Sequence, residues 1–362
     1  MTTLAGLQAM GWQPSFAAAF EAHGAIGRIP ARVIAEERGQ FLVHDGLATH
    51  PAEVSGRLRY ESSGDPLAFP SVGDWVVATP GEGGGATIHG LMPRRSAIVR
   101  CAPSDHGTGA QVLAANVDVV FIVTSLNAEL NLRRLERYLA VAWESGAIPV
   151  VVLSKADLDN DVAGHRVAAE AVAPGVDVIA VSAVSGEGLE AVRAHLAPGR
   201  TVAFIGSSGV GKSTLVNALA GRELLTTAGI REDDARGRHT TTRRQLVPLA
   251  DGLIIDTPGM RELGLLDGDG LGSAFGDVER AATGCRFRDC GHQSEPGCAV
   301  RAALISGALD ADRFRAYQKL EREARRSELA GDAVARKAER RRWTSMMRGV
   351  ERHMDRKYGT ER

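Results

Sequence analysis

The chain has 362 residues, of which 44% are hydrophobic and 24% are charged, and its formal net charge is −1. This composition is typical of a soluble globular protein with room for two or three domains, and four cysteines argue against a disulfide scaffold. No run approaches the roughly 18 apolar residues of a membrane span, and residues 1–10 lack the pattern of a secretory signal, so we expect a cytoplasmic protein without membrane contact.

The first hundred residues are predicted to form a short helical extension followed by a small β-barrel. Residues 4–24 have the pattern of one or two short helices, with a break near residues 11–14. Beyond residue 27, short β-prone runs alternate with turn residues, and five such strands with glycine-rich turns suit an OB-fold barrel. The predicted strands are 31–35, 40–44, 56–60, 74–79 and 86–90.

The middle of the chain changes to continuous apolar runs separated by helical patterns. Such runs are typical of strands buried on both faces of a parallel sheet. The alternation predicts a doubly wound α/β domain from about residue 105 to about residue 270. The predicted strands of this sheet are 117–124, 148–153, 176–182, 201–206 and 253–256.

The strongest motif is the run GSSGVGKST at residues 206–214, which follows an apolar strand and precedes a helical pattern. It fits the phosphate-binding loop G-x-x-x-x-G-K-[ST], whose glycines let backbone N–H groups approach phosphate oxygens. Lys212 would then reach the β- and γ-phosphates, and Ser213 would ligate Mg²⁺. The expected nucleotide contacts in this loop are Gly206, Ser207, Ser208, Gly209, Val210, Gly211, Lys212, Ser213 and Thr214.

Two later segments complete the expected phosphate side of the site. Asp256 begins the sequence DTPG at the end of an apolar strand, where a carboxylate near Mg²⁺ is expected, and Gly259 would sense the γ-phosphate. Between the two motifs lies HTTTR at residues 239–243, and Thr241 or Thr242 would contact Mg²⁺ as the switch hydroxyl. Taken alone, this run is also compatible with an ordinary polar loop.

The candidate guanine-reading motif lies upstream of the phosphate loop. Asp157, in the sequence Ser154-Lys155-Ala156-Asp157, can accept two hydrogen bonds from guanine, whereas adenine offers no such paired donors. The stem of Lys155 would cover the base, and one β-α unit later Ser182-Ala183 would supply a backbone donor to the guanine oxygen. By itself this tetrapeptide could be a surface turn, and it has Ser154 where Asn is commoner.

The order of these motifs indicates a circularly permuted GTPase, because the base motif precedes the phosphate loop, the switch and DTPG. Permutation is physically permitted since all these loops lie at one end of a parallel sheet. Together with the barrel, the chain resembles the ribosome small-subunit-dependent GTPase family (RsgA, also called YjeQ). The resemblance includes PSVGDWV at 70–76, PRRS at 93–96, ANVD at 115–118, GRHTTT at 237–242 and DTPGMRELGL at 256–265.

The resemblance implies binding to the small ribosomal subunit, GTP hydrolysis in response, and a role in late maturation of that subunit. The predicted domains are a helical extension (1–26), an OB-fold barrel (27–102), a circularly permuted α/β P-loop GTPase domain (103–272) and a zinc-binding, basic helical domain (273–362). The partners implied are the small subunit with its rRNA and GTP or GDP, and we expect a monomer.

A metal site is predicted beyond the GTPase domain. Three cysteines and one histidine lie within fourteen residues, a spacing rarely used for core packing. Three thiolates and one imidazole form the ligand set of a closed tetrahedral zinc site, so we predict one structural Zn²⁺ in addition to Mg²⁺ carried with GTP. The predicted ligands are Cys285, Cys290, His292 and Cys298.

The C-terminal segment is strongly basic. Residues 313–362 hold 16 lysines and arginines against 8 acidic residues, while the rest of the chain holds 27 against 36. A basic tail on an acidic body predicts a polyanionic partner. Arg94 and Arg95 at the exit of the barrel, together with 336–337 and 340–342 in the tail, are candidate rRNA contacts, although a solvated basic helix is the plain alternative.

The hydrolytic step is the least defined part of the prediction. Ras-like enzymes place a water-orienting glutamine after DxxG, but here Met260 holds that position, so slow intrinsic turnover is expected. His239 is the best local candidate to orient the water, and a group supplied by the ribosome is comparable. Two alternatives stay open: a GTP-regulated RNA-binding checkpoint factor whose function is binding, and an ATP-using P-loop enzyme such as a small-molecule kinase.

Overall fold

The computed structural model describes residues 3–23, 26–37, 39–63, 65–104, 107–126, 130–225, 244–256 and 268–331. The N-terminal extension consists of helices α1 (Leu4–Ala9) and α2 (Pro14–Ala22), as predicted. Phe16 and Trp12 pack against Trp75 of the following domain, with ring centroids 5.8 and 4.7 Å from that of Trp75. The extension therefore covers the buried aromatic core beneath the barrel.

The barrel is closed and has five strands, which confirms the OB-like architecture. Its strands are β1 (Ile29–Glu37), β2 (Gln40–His44), β3 (Thr49–Val54), β4 (Trp75–Pro80) and β5 (Ala86–Leu91). They follow the order β1-β2-β3-β5-β4, and β4 returns to pair with β1. The interior is filled by alternate side chains of these strands, including Val33, Phe41, Val43, Val76 and Ile88.

One predicted barrel strand is wrong. Residues 56–60 form helix α3 (Gly56–Glu61) instead, and the third strand is β3, which lies just upstream. The reason is local: the Ser55 hydroxyl accepts a hydrogen bond from the Leu58 amide at 3.2 Å and thereby caps the helix, while Leu58 is buried. The sequence THPAEV of β3 lacks the β-branched alternation that would have marked it as a strand.

A two-stranded antiparallel sheet, which the sequence pattern did not predict, joins the barrel to the next domain. Its strands are β6 (Ala97–Ser104) and β7 (Gly107–Ala115), and the boundary predicted between residues 102 and 103 falls within β6. Asn116, at the end of β7, has a left-handed backbone, and its side chain accepts from the Arg95 amide and donates to Gly73. These bonds fix the direction in which the chain leaves the barrel.

The predicted parallel sheet is present with all five strands. These are β8 (Val119–Ser125), β9 (Ile148–Ser154), β10 (Asp177–Val181), β11 (Thr201–Ile205) and β13 (Leu253–Asp256), in the order β10-β9-β8-β11-β13. The chain connects them through α4 (Leu132–Glu144), α5 (Val162–Val172), α6 (Leu189–Arg193) and α7 (Lys212–Ala220). Strands β8, β9, β11 and β13 are mostly buried, as continuous apolar runs require, whereas the edge strand β10 is only partly buried.

Strand β12 (Arg244–Pro248) joins this sheet to the barrel. It pairs antiparallel with β13 on one side and with β1 of the barrel on the other, where Ala35 faces Gln245 and Glu36 faces Arg244. The two domains therefore share one continuous eleven-stranded sheet.

Four C-terminal helices follow in the described part of the chain, and the first and the last of them pack on α4. They are α8 (Leu271–Ala274), α9 (Gly276–Ala282), α10 (Ala299–Ser306) and α11 (Ala311–Gly331). Arg313 of α11 is buried and donates to Glu136 of α4 at 2.7 Å and to both carboxylate oxygens of Asp277 at 2.7 and 2.9 Å. Among helices in the described part of the chain, none has both the length and the apolar character needed to cross a bilayer.

Candidate nucleotide and metal sites

The phosphate loop has the backbone that its glycines predict. Gly206, directly after the buried strand β11, has φ +142°, and a Cβ there would lie 2.2 Å from the carbonyl oxygen of Val123. A side chain at this position would therefore collide with the neighbouring strand. Gly211 has φ +93° and precedes α7, whose first residue is Lys212. The loop thus ends on a helix N-terminus, as a phosphate site requires.

Lys212 lies across the loop. Its Nζ donates to the carbonyl oxygens of Gly206 at 2.8 Å and of Ser207 at 2.7 Å. The ammonium group is thereby held over the loop whose amides are expected to bind phosphate. Ser213 follows in the first turn of α7 and is half-buried, whereas Thr214 is exposed.

Asp256 ends β13 on the same edge of the sheet. Burial raises the pKa of Asp256 above its ordinary value, and the charge of Lys212 opposes that shift. Because β13 is the parallel neighbour of β11, this carboxylate and the phosphate loop leave the sheet at the same edge. Gly259, the switch residues His239, Thr241 and Thr242, and Met260 lie outside the described residues.

The upstream tetrapeptide is joined directly to the phosphate loop. The Ser154 hydroxyl is buried and donates to the carbonyl oxygen of Val210 at 2.5 Å and to that of Thr124 at 3.2 Å. A Cβ on Gly211 would lie 3.9 Å from both Ser154 Oγ and Lys155 Cε. Serine at the position commonly held by asparagine therefore still ties the base motif to the loop, despite its shorter side chain.

The next two residues of the motif have the arrangement that base recognition needs. Lys155 adopts a left-handed backbone with φ +59° at the end of β9, and Ala156 and Asp157 follow in a short 3₁₀ turn. Ala156 is half-buried, while Asp157 is exposed beside the loop rather than used in a buried pair. Such a carboxylate is available to a ligand.

The Ser182-Ala183 pair lies beside this motif. Strands β9 and β10 are parallel neighbours in which Ser154 faces Val181, so the two motifs leave the sheet at the same edge. Ser182 is fully buried, its Oγ accepts from the Ser185 amide at 3.1 Å, and its amide donates to Glu187 at 3.0 Å. This tight turn leaves Ala183 half-buried at the carboxyl end of β10.

Sequence reasoning missed two residues of this region. Arg134 on α4 donates from Nη1 to the Ser207 hydroxyl at 2.9 Å, and the Tyr138 hydroxyl lies 3.5 Å from the same oxygen. Asn131 was a usable sequence signal for the start of α4, because asparagine is common at helix N-caps. Its side chain does cap α4, accepting from the Arg134 amide at 2.9 Å. The contact with the loop depends on tertiary packing and had no local signal.

The predicted cysteine and histidine ligands converge. One ligand atom from each of the four residues lies within 4.8 Å of the others. Cys285 Sγ is 3.9 Å from Cys298 Sγ, and His292 Nδ1 lies 3.6 and 3.4 Å from these two sulfurs. A tetrahedral zinc ion with ordinary bond lengths needs sulfur–sulfur separations of about 3.8 Å and sulfur–nitrogen separations of about 3.6 Å. The donor set and its spacing therefore fit such an ion.

The loop that carries these ligands is organised by Glu295, which sequence reasoning also missed. Its carboxylate accepts from the amides of Gly291, Gln293 and Ser294 at 2.9, 2.8 and 3.0 Å. The backbone amide of Glu295 itself, together with those of Gln293, Gly291 and Ser294, lowers the pKa of the Glu295 carboxyl group, and desolvation opposes that shift. The signal was an acidic residue before Pro-Gly inside the ligand spacing, a composition typical of a tight turn.

Two arginines predicted as rRNA contacts have partners within the protein. Arg94 forms an ion pair with fully buried Asp74 at 2.7 Å and also donates to the carbonyls of Leu67 and Phe69. Arg95 pairs with Asp118 at 2.9 Å, and its guanidinium lies over the Phe16 ring. Arg94 therefore stabilises the barrel itself, and Arg95 joins the barrel exit to Asp118 and Phe16, while contact of either arginine with rRNA stays a prediction.

Arg244, directly after the HTTTR run at residues 239–243, also has partners within the protein. It lies at the start of β12 and donates to the Gln111 side chain at 3.0 Å, with Glu36 of the barrel 3.6 Å away. The strand that follows the switch is consequently anchored to the barrel by side chains as well as by backbone pairing.

Comparison with known proteins agrees with this geometry. The RsgA GTPase family profile matches residues 91–266. The small ribosomal subunit biogenesis GTPase RsgA 2 of Lactiplantibacillus plantarum is 48% identical over 298 residues, 82% of this chain and 84% of that protein. The small ribosomal subunit biogenesis GTPase RsgA of Opitutus terrae is 43% identical over 355 residues, which cover 95% and 96% of the two chains.

Solved structures show the same fold. The crystal structure of YjeQ from Thermotoga maritima matches with a TM-score of 0.60 and 26% identity over 82% of this chain and 98% of that one. YloQ, described as a circularly permuted GTPase, is 22% identical, has a TM-score of 0.58 and covers 84% and 97% of the two chains. Sequence identity over most of both chains shows that this protein belongs to the RsgA family of circularly permuted GTPases.

Proposed function

We propose that this protein hydrolyses GTP when it binds the small ribosomal subunit and that it acts in the late maturation of that subunit. The observation that carries the proposal is the contact between the two nucleotide motifs. Ser154 bonds to Val210 of the phosphate loop, and Lys155 packs beside Gly211. A nucleotide with its phosphates on the loop would then present its base to Asp157. The relatives named small ribosomal subunit biogenesis GTPases supply the biological setting.

The roles of the site residues follow from this arrangement. The loop amides and Lys212 would hold the phosphates, and Ser213, one switch threonine and the carboxylate of Asp256 would hold or surround Mg²⁺. The Ala183 amide would donate to the guanine oxygen. Because Met260 cannot orient water strongly, either His239 or a ribosomal group would do so, and turnover without the subunit would be slow.

Guanine recognition by Asp157 predicts a change of base preference in the variant Asp157→Asn. The variant should lose most of its GTP affinity, since an amide offers only one acceptor to the two guanine donors, and the loss should reach at least about tenfold. Xanthine has a carbonyl where guanine has its amine, so xanthosine triphosphate should bind the variant better than the wild type. Competition against a fluorescent guanine nucleotide measures both. An unchanged preference for GTP would exclude Asp157 as the base reader.

The C-terminal metal is proposed to be one structural zinc ion. The four ligands are all supplied by the protein, so no position is left for a reacting water, and a bound ion would hold the 285–298 loop against α10. His292 would ligate through Nδ1, and its ring lies 6.2 Å from that of Phe314 on α11. The ion would therefore also fix how α11 leaves the module.

The rRNA is proposed to be recognised by the basic C-terminal segment. Lys319, Arg322, Arg325 and Arg326 are exposed on α11, whereas Arg313 is buried and serves the fold. The candidates at 336–337 and 340–342 lie outside the described residues. We further propose that the protein acts as a monomer in the cytoplasm, where subunit maturation takes place.

The test of the whole proposal is GTP hydrolysis by the purified protein with and without purified small subunits, across a salt series. Stimulation by the subunit is expected, and the apparent affinity for it should fall at least tenfold between about 50 and about 200 mM salt, because phosphate contacts release counterions. A factor that only binds would show salt-sensitive binding without stimulated turnover. An ATP-using enzyme would turn over ATP in preference to GTP and ignore the subunit.

A further inference from the structure

Helix α4 lies between the phosphate loop and the C-terminal module and contacts both. Toward the loop, Arg134 donates to the Ser207 hydroxyl at 2.9 Å, with Tyr138 at 3.5 Å from the same oxygen. Toward the module, Arg133 pairs with Asp310, Glu136 with Arg313, and Arg137 with Glu323 through two hydrogen bonds of 2.7 and 2.6 Å. Arg134 therefore lies on a helix whose position is fixed by ion pairs with the C-terminal module.

The two ends of the phosphate loop are each held in place by a neighbouring strand or motif. Gly206 is pressed against strand β8 at Val123, and Val210 is held by the Ser154 hydroxyl. Ser207 lies between these two points, where its carbonyl accepts from Lys212 and its hydroxyl from Arg134. Phosphate oxygens compete with that carbonyl for the lysine ammonium, since charged pairs form stronger hydrogen bonds. When a nucleotide binds and Lys212 turns to its phosphates, the position of Ser207 therefore depends more on the hydrogen bond from Arg134.

The local structure aims Arg134 at the loop. Asn131 caps α4 by accepting from the Arg134 amide, so Arg134 lies in the first helical turn. Leu135 and Leu139 are buried on the same helix and prevent it from turning about its axis. The guanidinium itself is exposed, and its bond to Ser207 is the contact through which it acts on the site.

We propose that Arg134 is a positioning residue of the GTPase site, which sets the geometry of the phosphate loop through the Ser207 hydroxyl. This inference rests on the proposed GTP hydrolysis. Arg134 neither reads the base nor replaces Lys212 on the phosphates. Its action is confined to the middle of the loop, where amides must point at the phosphates for hydrolysis to proceed.

The test compares Arg134→Ala, Ser207→Ala, the double variant and Arg134→Lys in single-turnover and steady-state GTP hydrolysis. Each alanine variant should lower kcat about tenfold, the worth of one charged hydrogen bond, with a smaller change in KM. Because both act through one contact, the double variant should be no slower than the slower single variant. Arg134→Lys should recover part of kcat, since one donor suffices for one hydroxyl.

The control is Arg166→Ala, which removes an exposed arginine paired with Glu170 at i and i+4 on α5, away from the loop. It should leave kcat unchanged, and thermal unfolding of every variant should match the wild type. Additive losses, a much larger loss for Arg134→Ala than for Ser207→Ala, or an unchanged kcat in Arg134→Ala would each overturn the proposal. Absence of GTP turnover in the wild type would instead contradict the proposed function, so the two failures are distinguishable.

Discussion

Replacing Lys212 by Met should reduce GTP hydrolysis by at least about two orders of magnitude, as removal of a single preorganised donor to a developing charge does in other enzymes. Lys212 Nζ lies over the loop, 2.8 and 2.7 Å from the carbonyls of Gly206 and Ser207, where it would reach the β- and γ-phosphates. Methionine keeps most of the aliphatic stem but supplies no donor. Single-turnover hydrolysis with saturating GTP measures the chemical step.

Two control measurements on this variant are its thermal unfolding and its preference for guanine over adenine nucleotides. Lys212 is half-buried and bonds to the carbonyls of the loop, so thermal unfolding should change little. The preference for guanine over adenine should also persist, since Asp157 is untouched. Hydrolysis within tenfold of the wild type would contradict the role of Lys212 at the phosphates.

The parts of the fold that the sequence predicted are those with a local signature. Continuous apolar runs marked β8, β9, β11 and β13, because strands buried on both faces cannot alternate with polar residues, and a similar run marked the partly buried edge strand β10. The phosphate loop was recognisable for a similar reason, since the collision of any Cβ at Gly206 with Val123 makes glycine obligatory. The cysteine spacing likewise encodes a site whose ligands lie close in the chain.

The parts that were missed depend on partners far away in sequence. Nothing in the sequence around Arg94 indicates that its partner is Asp74, which is buried in the core. The sequence therefore predicted an RNA contact for Arg94 and gave no sign of its ion pair. Pairing of β12 with β1 joins residues more than two hundred positions apart, and no periodicity reports it. The wrong prediction of a strand at residues 56–60 has a local cause. The Ser55 side chain caps α3 there, and this cap outweighs a weak β propensity.

Replacing Arg313 by Met should destabilise the protein by about 3 kcal/mol, the lower end of what breaking a buried ion pair costs. Arg313 bonds to Glu136, to both oxygens of Asp277 and to the carbonyl of Ala274, and its guanidinium lies 4.8 Å from the centre of the Phe275 ring. Burial disfavours its charge, but the bonds to Asp277 and Glu136 outweigh that effect and raise the pKa of Arg313. Without it, the fully buried Glu136 carboxylate keeps only Arg133.

Arg315→Met on the same helix is the matched control, because Arg315 is exposed and pairs with Asp312 one turn away. It should change the free energy of unfolding by less than about 0.5 kcal/mol. Thermal unfolding followed by circular dichroism distinguishes the two variants. Adding Glu136→Gln to Arg313→Met should recover part of the loss, since the buried charge is then removed. Equal stability of the two single variants would show that α11 is not held to α4 by this ion pair.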